Sequence, residues 1–132
     1  MASYTEKAIE LFKSGCSCSQ AVACAFADKL GEDTEQLKED VFQYRVGKAG
    51  HCGAMLGAMS VANYMRGIKD RENPACEDER SADVTSYISA EFRNMIGETL
   101  CREIKGQKLR SCAGCVKDAV LILEKMFEEG KL

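Results

Sequence analysis

Apolar side chains recur along this chain every three to four residues and hardly anywhere every second residue. Tyr4, Ala8, Leu11 and Phe12 make one helical stripe over residues 4–14. Ser3 stands in the N-cap position with Glu6 three residues on, and Gly15 follows where a left-handed C-cap belongs. Residues 17–30 carry Cys18, Val22, Ala25, Phe26 and Leu30 on one face and stop at Gly31. A third helix is predicted from a cap at Asp33 to Tyr44, with Leu37, Val41 and Tyr44 inward. A fourth covers about 51–66. A fifth, about 80–96, turns Val84, Tyr87, Ile88, Phe92, Met95 and Ile96 inward and ends at Gly97. A short turn over 99–104 carries Cys101 and ends at Gly106. The last helix, about 112–129, has Val116, Ala119, Val120, Leu123 and Phe127 inward. With no period of two and no clustering of β-branched residues, the pattern predicts an all-α fold. We expect one helical domain over residues 1–132, a bundle of five to six helices.

The fourth helix departs from the pattern. It reads His51-Cys52-Gly53-Ala54-Met55-Leu56-Gly57-Ala58. Each glycine inside a helix costs up to about 1 kcal/mol against alanine. Gly53 and Gly57 share one face with Ala54 and Ala58, and that small face starts at Cys52. Two readings are open. The face receives a second sulfur, a metal or a small ligand, with Gly53 and Gly57 as its binding surface, or it marks a tight helix–helix crossing.

The chain has 132 residues, 45% apolar and 30% charged, with a formal net charge of -3. No basic excess speaks for nucleic acid. No lysine-rich amphipathic face or long apolar run speaks for a membrane. Residues 66–83 hold ten charged residues and the sole proline, Pro74, and read as a surface crossing. The N-terminal residues lack a basic and apolar leader, so a cytoplasmic setting is expected. The unusual count is eight cysteines against one histidine. In a reducing compartment, clustered cysteines point to metal or redox chemistry more than to structural disulfides. Nucleotide-binding glycine loops, a nucleophile elbow, HExxH and CxxCH are all missing from the sequence. Glu128/Glu129 and Glu77/Asp78/Glu79 lie in polar contexts that suit solvated faces. What chemistry remains is that of sulfur.

Cys112 and Cys115 stand three apart at the start of the last helix. Their Cβ atoms are thus about 5–6 Å apart on one face, near the separation a disulfide needs. The helix start favours thiolate over thiol. A redox dithiol, half of a metal site, or two small core residues would each fit. Cys52 also stands near a helix start. Cys18 lies on the apolar stripe, whereas Cys16 is expected to be more exposed. Cys24 reads as core packing and Cys76 as incidental. His51 suits a proton acceptor, a ligand, a cap or a solvent-facing residue.

Four pieces in order resemble the C_GCAxxG_C_C family of redox-active proteins. They are Cys18-Ser19-Gln20-Ala21-Val22, Cys52-Gly53-Ala54-Met55-Leu56-Gly57-Ala58, Cys101-Arg102-Glu103-Ile104-Lys105-Gly106, and Cys112 followed by Val116-Lys117-Asp118-Ala119. The resemblance implies four functional cysteines, Cys18, Cys52, Cys101 and Cys112, and a small redox role with no defined substrate or partner. Cys115, Cys16, Cys24 and Cys76 fall outside its set. The family is also similar to a segment of split-Soret-type cytochromes, which implies an iron–sulfur cluster as an alternative use of the same four thiols. The expectation is thiol–disulfide exchange or electron transfer through Cys18, Cys52, Cys101, Cys112 and Cys115. One alternative is a zinc or iron–sulfur module ligated by Cys18, Cys52, Cys101 and Cys112. Another is a non-catalytic helical interaction protein with buried cysteines. Six methionines and the small-residue face would also suit a homodimer.

Overall fold

A computed structural model describes residues 3–44, 50–69, 74 and 78–132. Among them the chain is all-α: eight α-helices, one 3-10 turn and no strand. The helices are α1 (Tyr4–Lys13), α2 (Cys18–Ala25), α3 (Ala27–Leu30), α4 (Thr34–Val41), α5 (Gly53–Met65), α6 (Ala82–Ile96), α7 (Cys101–Gly106) and α8 (Cys112–Glu128), with the 3-10 turn over Phe42–Tyr44. The count exceeds five to six because single predicted helices are divided and the short turn over 99–104 is itself a helix. The predicted helix over 17–30 breaks at Phe26, whose backbone leaves the helical region at φ -103°, ψ 14°. Tertiary packing overrides local propensity there. The fully buried Phe26 ring stacks on Tyr4 at 4.4 Å and on Phe127 at 5.6 Å, tying α1 and α8 to the α2–α3 junction.

Local chemistry closes the helices much as expected. Ser3 Oγ accepts the Glu6 N–H. Ser17 and Gln20 form a reciprocal capping box at the start of α2. Gly15, Gly31 and Gly97 have positive φ at helix ends. One boundary differs: after α7 the left-handed residue is Lys108 at φ 53°, not Gly106. Met95 is 45% exposed and not inward. Cys76 lies outside the described residues.

Helix α5 is the centre of the bundle. Every residue from Gly53 to Asn63 is buried, which is why its sequence is apolar all round rather than striped. It packs against α2, α6 and α8. Its glycine face is filled by a neighbouring backbone. A Cβ at Gly57 would stand 2.8 Å from the Ser19 carbonyl oxygen, 3.0 Å from Ser19 Cα and 3.2 Å from Val22 Cβ. Gly57 therefore does not line an open ligand surface; it lets α2 approach α5. Gly53 is buried at the first position of α5. Two short links orient the ends of α5. Ser81 Oγ donates to Asn63 Oδ1 at 2.6 Å beside α6. At the other end His51 and Leu100 form an isolated antiparallel bridge, and the Cys52 N–H donates to the Thr99 carbonyl at 2.8 Å. That bridge holds the start of α5 against the start of α7.

Candidate thiol site

The folding of these helices brings their starts together. Cys18 is the first residue of α2, Cys52 the N-cap of α5, Cys101 the first residue of α7, and Cys112 the first of α8, with Cys115 one turn further on. A helix start carries partial positive charge and free N–H groups. The caps fix these positions: Ser17 caps α2, and Ser111 Oγ accepts the Gly114 N–H at 3.0 Å to start α8. Cys52 and Cys115 are buried, whereas Cys18, Cys101 and Cys112 are half-buried. All five carry free thiols.

The sulfurs are neighbours of one another. The Cys115 thiol lies beside Cys52, and Cys18 has Cys112, Cys52 and Cys101 around it, Cys112 first. Cys101 lies within electrostatic range of Cys52 and Cys112. Sequence spacing offers Cys112 with Cys115 as the pair. The fold instead sets each of them opposite a thiol from another helix.

The Cys52 thiol is brought down to about 7, first by the Cys115 thiol donating toward it. The N–H groups of Ala54 and Met55, at the open start of α5, and the nearby Lys105 ammonium act in the same sense, against burial. The Cys52 side chain makes no capping hydrogen bond, but a thiolate gains from the N–H groups at a helix start. Cys115 moves the opposite way: facing Cys52 and then burial both push it up. Within the pair, Cys52 is the thiol shifted toward its charged form and Cys115 the one shifted away from it. Burial pushes Cys18 up to about 12, with neighbouring Cys112 and Cys52 adding to it. Burial also raises Cys101, with Lys105 opposing. The Lys105 ammonium is in turn held in its charged form by Cys112 and Cys101.

The remaining cysteines and the histidine stand apart from this arrangement. Cys24 is buried, is pushed up to about 12 by that burial, and has Cys16, Lys38 and Glu35 as its electrostatic neighbours. Its sulfur is 3.9 Å from the Thr34 carbonyl. His51 joins the site through its backbone, and its ring Nδ1 is enclosed without a hydrogen-bond partner. It borders a separate groove with Met55, Met59 and Arg93.

A zinc or iron–sulfur centre needs three or four ligands around one point, with sulfurs about 2.3 Å from zinc. Among the described residues no three His, Cys, Asp or Glu side chains are placed to hold a metal ion. The five thiols are nonetheless close electrostatic neighbours of one another, and a cysteine-rich redox family is compatible with a metal or cluster. Sequence reasoning did not single out Lys105. Its position four residues after Cys101 places it on the same face of α7, which is the signal that was available.

Comparison with protein-family models matches residues 16–126 to C_GCAxxG_C_C, described as "Putative redox-active protein". No curated protein and no solved structure matches the chain. No helix among the described residues is long and apolar enough to cross a membrane.

Proposed function

The chain belongs to the C_GCAxxG_C_C family, and from that premise we propose that it is a thiol redox protein whose working dithiol is Cys52 with Cys115. The observation that carries this reading is the meeting of two free thiols from different helices, Cys115 of α8 beside Cys52 at the start of α5, with Cys52 shifted down and Cys115 up. Thiolate is the attacking species in disulfide exchange, and an attacking thiol does best with a pKa near the ambient pH. Cys52 meets that condition at neutral pH. Its thiolate attacks one sulfur of a substrate disulfide and displaces the other half as a thiolate. The Cys115 thiol then gives up its proton and displaces the second half. Two protein thiols are oxidised by two electrons to one protein disulfide, and the substrate is reduced to two thiols. Cys18 and Cys112 form a second dithiol at the half-buried side of the site, and Cys101 flanks the route to Cys52.

Site-resolved alkylation tests the reading. In reduced protein, the alkylation rate at Cys52 should rise with pH along a curve centred near 7 and level off above it. An ordinary cysteine would centre about 1.5 units higher. A Cys52 curve still rising at pH 9 would mean that the thiol is not activated.

A further inference from the structure

We infer that the thiol site receives its substrate as an anion, docked in the cavity that Lys105, Lys108 and Arg110 form at its edge. This rests on the exchange reading above. The cavity has a volume of about 490 Å³ and is lined by Lys105, Lys108, Leu109, Arg110 and Ser111. Three of its five lining residues are cationic, in a chain whose net charge is -3. Arg110 is already committed, as its guanidinium pairs with Asp118 through contacts of 3.1 and 3.2 Å. Lys105 and Lys108 have no carboxylate partner among the described residues. Lys105 instead interacts with Cys112 and Cys101, and Ser111 precedes Cys112 directly. The cavity therefore adjoins the half-buried thiols through Lys105 and Ser111, though no cysteine lines it.

Lys108 adds an independent sign. It sits at φ 53°, in the left-handed position after a helix where glycine meets no steric penalty. Its backbone is held there by the Leu109 N–H donating to the Ile104 carbonyl at 2.9 Å and by the Lys108 N–H donating to the Lys105 carbonyl at 3.2 Å. These two bonds are those of a left-handed helix cap and hold the Lys108 backbone in place. The Lys108 side chain is a cation lining the cavity. The chemical class that fits is a small disulfide bearing carboxylates or another fixed negative charge. Exchange proceeds as written above, with the anionic group held by the lysines while its sulfur faces the thiols.

Two disulfide probes that release coloured thiols separate charge from reactivity: the dianionic dithiobis-nitrobenzoate and the neutral dithiodipyridine. The background is the full chain with Cys16→Ser, Cys24→Ala and Cys76→Ser, so that release reads the clustered thiols. Lys108→Gly relieves the backbone and removes the charge, and Lys108→Gln removes the charge alone. Both variants should slow the dianionic probe about threefold to tenfold at low ionic strength and leave the neutral probe within about twofold. Salt should close the gap. Equal slowing of both probes, or no slowing of either, overturns the docking inference and leaves the exchange reading standing. If the unsubstituted lysine protein forms no internal disulfide with either probe, the exchange reading fails and the docking inference with it.

Discussion

With Cys18, Cys52 and Cys115 kept as the only thiols, Cys52→Ser is expected to slow exchange with a small neutral disulfide by about 100- to 500-fold at pH 7, with the fold intact. The size follows from the two thiols whose values differ most. At pH 7 a thiol of pKa 7 is about half ionised, and one of pKa 12 is ionised to about one part in 10⁵. The more basic thiolate is intrinsically faster by about two to two and a half powers of ten. The ionisation deficit wins, so Cys18, pushed up to about 12, cannot replace Cys52. Folding should survive because serine is itself a preferred N-cap and Cys52 is the N-cap of α5. Stopped-flow exchange and thermal melting on the same sample check both halves. Loss of less than about tenfold, with the melt unchanged, would assign the chemistry to another thiol.

Gly57→Ala should have the opposite profile, a large loss of stability. Alanine gains up to about 1 kcal/mol of helix propensity over glycine. Against this, its Cβ would meet the Ser19 carbonyl at 2.8 Å, and backbone cannot step aside as a side-chain tip does. Overpacking of this kind costs about 1–3 kcal/mol, and the added separation of α2 from α5 carries Cys18 away from Cys52. We expect a melting temperature lower by about 5–10 °C. Gly114→Ala is the control. The three atoms nearest to its Cβ would all belong to the Arg110 side chain, the first at 2.5 Å. That side chain is 43% exposed and can shift, whereas its partner Asp118 is buried, so the methyl group is tolerated as far as Arg110 moves without releasing that carboxylate. Calorimetry should find Gly114→Ala less destabilised than Gly57→Ala. Equal melts for the two variants would show that the α2–α5 crossing tolerates a methyl group.

The all-α class and most helix ends were legible in the sequence because they rest on local rules. Apolar spacing marked the stripes, Ser3 and Asp33 marked starts, and Gly15, Gly31 and Gly97 marked stops. The break at Phe26 was not legible, since it arises from ring stacking with Tyr4 and Phe127, which are distant in the chain. Lys108 in the left-handed position was hidden for a related reason: local rules point to glycine there. For the site, helix-start positions of Cys52 and Cys112 could be read from spacing. The partner of each thiol could not. Cys112 and Cys115 are neighbours on α8, yet the crossing of α5 with α8 places Cys115 opposite Cys52. The small face of α5 carried two readings, and the contact with Ser19 assigns Gly57 to packing.

The central claim is the pairing of thiols across helices, and a disulfide map tests it most directly. Reduced protein is treated with one equivalent of a small disulfide at pH 7, quenched in acid and digested without reduction. The account predicts that the first internal disulfide joins Cys52 to Cys115, with a Cys18–Cys112 disulfide appearing only as more oxidant is added. A first disulfide between Cys112 and Cys115, or none involving Cys52, would contradict it.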